Sequence, residues 1–443
     1  MPRAPLIALA LVTVSLAAAG VHADTTRPLA AAAPPPPTGD PHGPPAKPAK
    51  AADFPPMVFF VARGEADACG RNCAEWIAAD GAIDLGAPQR LRALLDRLGR
   101  HKLPIYFHSP GGSITGALAI GHLLRERGLT AGVGWTVPQG CDPKVPREAT
   151  CDKLKRNGRE LPARLDAGHT MCNSACVYAF VGAAVRRLAP GASLGIHSSS
   201  FSFVDHNGRA SIRPSPTLLR ATVAQSYALV SHYLGDMGVD PALLTAARRF
   251  ASDHIRFLTR AEIRRFNIDR RTFVESDWTM VEEPTRAIRK VFMAHLAGSD
   301  DDFRTTLILL SCVQPDRLRI VLAREVAPGD DVAGIRIAAG GAVRTLKPGR
   351  RTTLSSSKAE YDVGSIEVPA AFLLGTDGAI TISAATETEP TPIDPVPAPS
   401  TAAAKPSDAA ATLSTVGLGA ALAKLLPTCD PASPKLDLPA TKP

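Results

Sequence analysis

Beyond residue 23, the sequence has no apolar run long enough to span a bilayer. It also lacks a basic block that alternates with aromatic residues, which make up only 5% of the chain. The net charge of +8 is spread along the sequence, so nucleic acid is not an expected partner. No lysine occurs between Lys155 and Lys290, which limits where a lysine could activate a nucleophile.

The first residues have the pattern of a secretory signal peptide. Arg3 precedes an apolar run from Leu6 to about Val21, and small residues follow that run. We expect a signal peptide over 1–23, cleaved after Ala23, and an exported protein that is periplasmic or secreted. A retained membrane anchor is the alternative, but the run is short for a span. After cleavage no integral membrane segment is expected.

Cysteine occurs eight times, an even number that indicates disulfides in an exported chain. The eight are Cys69, Cys73, Cys141, Cys151, Cys172, Cys176, Cys312 and Cys429. Zinc binding is the alternative, but the two Cys-x3-Cys spacings are wider than zinc sites usually have, so no metal is expected. Cys312 and Cys429 lie in a separate region and are expected to pair, with the other six pairing among themselves.

The chain divides into segments of different composition. Residues 24–56 are a Pro-rich tether without apolar periodicity. Residues 57–290 alternate strand and helix patterns, which predicts an α/β domain with a parallel sheet. A polar, Cys-containing stretch at 136–169 is expected to be a surface insertion. Residues 300–443 have short strand patterns, which predict a small all-β, sandwich-like domain with a Pro-rich linker at 389–406 and a terminal helix.

The α/β pattern is made of five consecutive elements. The segment "MVFFVARG" predicts a strand, and residues 88–100 have helical spacing. A buried strand is predicted at 103–109, a helix at 113–128 and a strand at 129–135. Beyond the insertion, "SACVYAFVGAA" predicts a short helix, "VRRLAPGASLGIHSSS" two short strands, and 215–266 a helical stretch.

Three motifs in this domain carry candidate chemistry. "HSPGGS" (108–113) places Gly111 and Gly112 between a strand and a helix, where bare N–H groups favour negative charge. Ser174 lies at the start of a short helix and is either an N-cap or a nucleophile. His197 ends an apolar strand and is either a buried structural histidine or a general base.

In this order, the motifs resemble those of the Clp peptidase branch of the ClpP/crotonase superfamily. The matching segments are "IYFHSPGGSITGALAIGHLL", "CNSACVYAFVGAAVRRLAPGASLGIHSS" and "IRFLTRAEIRRFNID". The resemblance covers roughly 57–275 and is closest to exported Clp peptidase-like proteins of bacteria. It implies a ClpP/crotonase-like β-α-β domain that hydrolyses peptide bonds in a peptide or protein substrate, without a cofactor.

The resemblance also implies roles for individual residues. Ser174 would be the nucleophile and His197 the general base, and the N–H groups of Gly112 or Gly111 and of Ala175 would form the oxyanion hole. The family's orienting aspartate would stand at Ile255, and Asp253 is the nearest carboxylate that could replace it.

Several alternatives stay open. Lys153 or Lys155 could serve Ser174 in a Ser-Lys dyad. Acyl-CoA chemistry, the other branch of the superfamily, conflicts with the Ser-His pattern and with export. Cys172 and Cys176 could be nucleophiles, although they are expected to be bonded. A catalytically inactive Clp-like scaffold of the cell envelope is the second functional hypothesis.

The resemblance further implies a homo-oligomer, with helices of residues 215–250 at the contacts. The alternative is that these helices pack within one chain.

Overall fold

The computed structural model describes most of the chain between residues 54 and 429. The described residues are 54–142, 149–166, 170–199, 215–282, 286–296, 299, 302–327, 330, 334–353, 359–374, 379–384 and 411–429. The expected signal peptide, nearly all of the N-terminal tether and the 389–406 linker lie outside them. Among the helices in these ranges, none is both long enough and apolar enough to cross a membrane.

The N-terminal half contains ten strands and seven helices among its described residues. The strands are β1 (Val58–Arg63), β2 (Glu75–Asp80), β3 (Ile105–His108), β4 (Thr130–Val133), β5 (Trp135–Pro138), β6 (Leu161–Asp166), β7 (Cys172–Asn173), β8 (Val185–Arg187), β9 (Leu194–Ile196) and β10 (Arg256–Phe257). The helices are α1 (Ala87–Leu98), α2 (Ile114–Arg127), α3 (Ala149–Arg156), α4 (Ala175–Val181), α5 (Pro216–Asp236), α6 (Ala242–Ala247) and α7 (Arg260–Arg265).

Seven of these strands form one mixed sheet in the order β5-β6-β1-β2-β3-β4-β8. Strands β2, β3, β4 and β8 are parallel, and α1 and α2 make the crossovers that the sequence predicted. Strand β2, which the sequence pattern did not reveal, pairs antiparallel with β1 and starts the β-α-β-α-β unit. Apolar side chains of α1, α2 and α4 cover one face of the sheet.

The segment predicted as a surface insertion adds two strands to this sheet. Strand β6 pairs parallel with β1, and β5 pairs antiparallel with β6. Trp76, Phe60 and Leu161 belong to a second buried apolar cluster. Along β1 and β2, the side chains in this cluster alternate with those that face the main core. The strand signal is weak in sequence because Pro138, Pro162 and charged residues interrupt it.

The C-terminal half consists of two antiparallel sheets that share one apolar core. Its strands are β11 (Phe273–Glu275), β12 (Thr279–Val281), β13 (Ala287–His295), β14 (Phe303–Gln314), β15 (Arg317–Val326), β16 (Ile335–Ala339), β17 (Ala342–Leu346), β18 (Arg350–Thr353), β19 (Glu360–Pro369), β20 (Ala379–Ala384) and β21 (Ala411–Ser414), and its helices are α8 (Ala371–Leu374) and α9 (Leu418–Leu425). One sheet has the order β11-β13-β14-β15-β19-β18, with β12 on β13, and the other β17-β16-β20-β21. Buried side chains of both sheets pack together, as in a sandwich.

This β-rich half begins before the boundary that the sequence indicated between 290 and 300. Strand β11 starts at Phe273 and pairs with β13, which pairs with β14. Arg289 and the buried cation Lys290 interrupt the apolar pattern of β13. Lys290 Nζ lies 3.0 Å from Glu275 Oε2 and donates to the Ser276 carbonyl at 2.7 Å.

All eight cysteines are in disulfides. Cys312 and Cys429 are joined, as the sequence predicted, so the segment that follows α9 is tied to β14. The other six pair among themselves as Cys69–Cys73, Cys141–Cys151 and Cys172–Cys176. No cysteine is therefore available as a zinc ligand or as a nucleophile.

Candidate active site

The two glycines after β3 form a turn that no other residue would fit. Gly111 has φ 104° and Gly112 has φ 135°, a region that L-residues avoid. A Cβ at Gly112 would lie 2.2 Å from the Ile83 carbonyl oxygen. The turn leads directly to Ser113, whose hydroxyl accepts from the Gly116 N–H and caps α2. The end of β3 is thus joined to a helix N-terminus.

Ser174 lies between β7 and α4 in a rare backbone conformation. Its φ is 56° and its ψ is −123°, which for a non-glycine residue costs about 1–3 kcal/mol. The Ser174 N–H donates to the Gly195 carbonyl at 2.7 Å. Ser174 occupies the N-cap position, but its side chain makes no capping hydrogen bond. The capping interpretation is therefore not realised, and the hydroxyl is not committed to the α4 backbone.

The glycine turn and Ser174 are in direct contact. A Cβ at Gly111 would lie 2.8 Å from Ser174 Cβ and 3.1 Å from the Ala175 nitrogen. Ser109, at the end of β3, links the two chain segments, since its carbonyl accepts from the Asn173 N–H at 3.0 Å. Predicted nucleophile and predicted oxyanion turn are thus neighbours.

The hydrogen bonds distinguish between the candidate oxyanion donors. The Gly111 N–H donates to Ser109 Oγ at 3.1 Å and is therefore in use. Ala175 is the first residue of α4, so its N–H has no acceptor within the helix. Within the described ranges, the N–H groups of Gly112 and Ala175 donate to no protein acceptor. These two, rather than Gly111, are the available donors.

His197 follows β9, which pairs in parallel with β7. The register places Asn173 opposite Gly195, so Ser174 and His197 lie on adjacent chain segments just beyond that pair. His197 Nδ1 lies 2.7 Å from the Ser198 carbonyl oxygen. Because a carbonyl only accepts, Nδ1 carries the proton and Nε2 is left as the basic nitrogen. Burial lowers the pKa of His197, which favours the neutral imidazole that a general base requires.

Asp253 does not occupy the orienting position that the sequence offered it. Its carboxylate lies 2.8 Å from Nδ1 of His254, and its side chain is 73% exposed. The Ser198 carbonyl takes the place of a carboxylate on His197. Ile255, where the resemblance would put the acid, is a buried apolar residue whose side chain packs at Gly195. Tertiary packing decides which groups an exposed loop residue contacts, and the sequence pattern does not reveal that packing.

The lysine alternative is also answered by contacts. Lys155 Nζ lies 2.5 Å from Asp80 Oδ2, and the Lys155 side chain is only 6% exposed. This buried pair joins α3 to the end of β2, so the amine serves the packing of the insertion. Lys153, two residues earlier, is exposed. Across the described part of the chain, no three His, Cys, Asp or Glu side chains cluster as metal ligands.

A disulfide encloses the candidate nucleophile. Cys172 in β7 and Cys176 in α4 are bonded, with Cα atoms 5.1 Å apart, and Ser174 lies midway between them. Closing so short a loop contributes about 2 kcal/mol in the chain-entropy description, similar to the strain at Ser174. The sequence predicted that six cysteines pair among themselves and that Cys172 and Cys176 are bonded, and the structure shows that these two are bonded to each other.

No family model matches this sequence, and no curated protein matches it either.

Solved structures of proteases have local similarity to it. One is an alanine mutant of 1510-N, a membrane-bound stomatin-specific protease, with TM-score 0.26 and 16% identity, covering 43% of this chain and 75% of that one. Another is a point mutant of ClpP1 from Listeria monocytogenes, with TM-score 0.26 and 13% identity, covering 43% of this chain and 85% of that one. At this TM-score the similarity does not by itself establish a fold or an activity for this chain.

Proposed function

We propose that this protein is a serine-type peptidase of Clp-like architecture that cleaves peptide bonds with Ser174 and His197. The observation that carries the proposal is the uncommitted Ser174 hydroxyl, held at φ 56° beside the glycine turn. A residue in this conformation costs stability unless its neighbours hold it, and such residues cluster at functional sites. An N-cap serine, the structural alternative, would bond the helix backbone instead.

The proposed reaction proceeds through an acyl-enzyme. Ser174 Oγ attacks the carbonyl carbon of the substrate while its proton passes to His197 Nε2. The oxyanion receives hydrogen bonds from the N–H groups of Gly112 and Ala175. His197 then protonates the leaving amine, and water hydrolyses the ester with His197 again as base.

Among the described residues no carboxylate bonds to His197, and a dyad of this kind predicts a slow enzyme. In the Ser-His-Asp arrangement, loss of the orienting acid costs about 10⁴ in turnover because the imidazole takes the wrong tautomer. Here the Ser198 carbonyl fixes the tautomer but adds no negative charge to stabilise the imidazolium. We therefore expect turnover below that of complete triads. The same observation favours the second candidate function, an inactive Clp-like scaffold that binds a protein partner.

Export and the oxidising compartment are part of the proposal. Four disulfides persist in the periplasm or outside the cell and are rare in a reducing cytosol. The signal-peptide pattern over 1–23 supports the same location.

A fluorophosphonate probe, which reacts with activated serines, separates the two candidate functions. We expect the purified oxidised protein to be labelled at Ser174, as located by peptide mapping. Ser174→Ala and His197→Ala should each abolish labelling, whereas His254→Ala and Asp253→Ala should retain the parent's rate, because Asp253 and His254 form an exposed pair with each other. Absence of labelling in the parent would leave the scaffold as the function.

A further inference from the structure

The bond between Cys172 and Cys176 spans the turn at which the chain changes from strand to helix. Cys172 lies in β7, whose backbone is paired with β9. Cys176 lies in the first turn of α4, and neither cysteine has exposed surface. The bond therefore joins two elements that are separately fixed in the core, and Ser174 is the central residue of the closed loop.

The local sequence does not favour the turn that this bond closes. Asn173, Ser174 and Ala175 include no glycine, although Ser174 has φ 56°. Backbone hydrogen bonds hold the strand side, where Asn173 N–H donates to Ser109 and Ser174 N–H to Gly195. On the helix side, the Val177 N–H donates to the Ser174 carbonyl at 3.1 Å. This hydrogen bond belongs to the first turn of α4 and does not fix the angle between α4 and β7. The disulfide is the covalent constraint on that angle.

We infer that the Cys172–Cys176 disulfide positions Ser174, so that the nucleophile is competent only in the oxidised chain. This inference rests on the proposed function for its catalytic consequence. Cys172 and Cys176 act as positioning residues, since they hold the turn and touch no substrate. A chain folded with both thiols reduced would keep its fold, but Ser174 would leave its positive-φ conformation and lose its place beside Ala175 and Gly111.

The oxidation step needs a disulfide oxidant, either a dithiol-disulfide protein or a small-molecule disulfide. The thiolate of one cysteine attacks a sulfur of the oxidant and forms a mixed disulfide. The second thiolate then attacks the first cysteine's sulfur, forming Cys172–Cys176 and releasing the oxidant as its reduced thiol. Two electrons pass from the cysteine pair to the oxidant, and two protons pass to solvent or to the released thiols. Because the finished bond is buried, it forms during folding and resists later reduction.

The chain contains a matched control for this inference. Cys69 and Cys73 are also four residues apart, with Cα atoms 5.0 Å apart, and they close a partly exposed loop between β1 and β2. Removing that bond releases a loop of the same length in the unfolded chain as removing Cys172–Cys176 does. It leaves β7 and α4 unchanged. A difference between the two variants therefore shows an effect on the position of Ser174, and not an effect of losing any disulfide.

The experiment compares the full-length oxidised protein with Cys172→Ala/Cys176→Ala and Cys69→Ala/Cys73→Ala. Alanine is chosen because both core sites are apolar. Amide hydrogen exchange over residues 172–177 measures the turn directly, and fluorophosphonate labelling measures reactivity. We expect the first variant to melt cooperatively, exchange faster at this turn, and label Ser174 on the order of 100-fold more slowly, the loss typical of a misplaced reacting group. The Cys69/Cys73 variant should match the parent at residues 172–177 and in labelling rate.

The two readouts separate failure of this inference from failure of the proposed function. If the Cys172/Cys176 variant exchanges at residues 172–177 as slowly as the parent, the disulfide does not position Ser174 and the inference is overturned. Parent-like labelling of that variant overturns it equally. If the parent itself is not labelled, the peptidase proposal fails, and the exchange comparison still decides whether the bond holds the turn. Should the double alanine variant not fold, Cys172→Val/Cys176→Ala, which refills the apolar volume, replaces it in both measurements.

Discussion

At the scale of the residue, the backbone conformations of a few individual residues define the candidate site. Ser174 and Gly111 both have positive φ, and they lie against each other where β3 and β7 end. Within the described residues, a backbone hydrogen bond or turn places the hydroxyl, the N–H groups and the imidazole, and no charged side chain does so. Substitutions that crowd or strain the backbone should therefore affect this site more than substitutions that change charge.

Gly111→Ala tests that expectation. Its Cβ would lie 2.6 Å from the Asn173 carbonyl oxygen and 2.8 Å from Ser174 Cβ, at φ 104°. We expect loss of Ser174 labelling and a lower free energy of unfolding, by about 1–3 kcal/mol for the backbone strain alone. Gly70→Ala is the control, since Gly70 has φ 114° with open space around it. Equal labelling of the two variants would contradict the contact between Gly111 and the nucleophile.

The pH dependence of the reaction should report His197. Burial lowers its pKa below the usual 6.5, against the opposing effect of the hydrogen bond with Ser198. Since only neutral imidazole accepts a proton, labelling of Ser174 should fall as the pH falls, and the midpoint of that fall should lie below pH 6.5. Between this lowered pKa and 6.5 the unfolded chain binds more protons at His197, so the contribution of His197 to the free energy of unfolding falls as the pH falls. A midpoint above pH 6.5 would contradict the lowered pKa of the buried ring.

At the scale of elements, two helices bring the halves of the site together. Helix α2 begins after the glycine turn, and α4 begins after Ser174. They cross at Gly121 and Gly182, where a Cβ on Gly182 would lie 2.2 Å from Gly121 Cα. This close approach limits the distance between the two helices, and we expect it to constrain the oxyanion donors at Gly112 and Ala175, which lie at their N-termini.

Gly182→Ala should separate the helices and disturb the site at a distance. The added methyl group overpacks a crossing with no free space, which typically costs about 1–3 kcal/mol. We expect a lower midpoint in urea unfolding and slower labelling of Ser174, although position 182 is a full helix away from it. Gly235→Ala in α5, where a Cβ meets nothing, should instead leave labelling unchanged and stabilise slightly. Normal labelling in a destabilised Gly182→Ala protein would show that the crossing does not set the site.

On the scale of the whole molecule, long-range links tie the C-terminal end back to earlier parts of the chain. Trp278 Nε1 donates to the Ser414 carbonyl at 2.9 Å, and Lys424 in α9 lies 2.8 Å from Glu65 in the N-terminal half. The Cys312–Cys429 disulfide spans 117 residues of sequence. A bond that closes so long a loop restricts the unfolded chain far more than the short ones do.

Removing that bond should lower stability without affecting the reaction. In the chain-entropy description a loop of this length contributes roughly 4.7 kcal/mol, and a loop of five residues about 2 kcal/mol. Cys312→Ser/Cys429→Ser should therefore lower the urea midpoint more than Cys69→Ser/Cys73→Ser, measured on the same full-length protein. Labelling of Ser174 in the folded state should match the parent in both. A smaller effect for the long-range bond would show that α9 stays in place without it.

Local signals in the sequence were sufficient for much of the α/β half. The crossovers α1 and α2 follow from apolar spacing, and Gly128 marks the end of α2, whereas α1 ends at Leu98, two residues before the predicted end. Short-range backbone preferences also placed Gly111 and Gly112 in a turn after β3. The pairing of Cys312 with Cys429 followed from their isolation in one region of the chain. Each of these features depends on neighbours in sequence, or on which segments belong to one domain.

Tertiary packing decided which partners the candidate site residues have. The Ser198 carbonyl contacts His197, Asp253 lies with His254, and Lys155 joins Asp80 across the sheet. These partners come from loops and strands whose meeting depends on sheet order and on the inserted strands β5 and β6, whose apolar pattern is interrupted. The order of amino acids sets local backbone preferences and apolar periodicity. A hydrogen bond between distant segments forms only when the fold brings those segments together, and many alternative packings compete before it does.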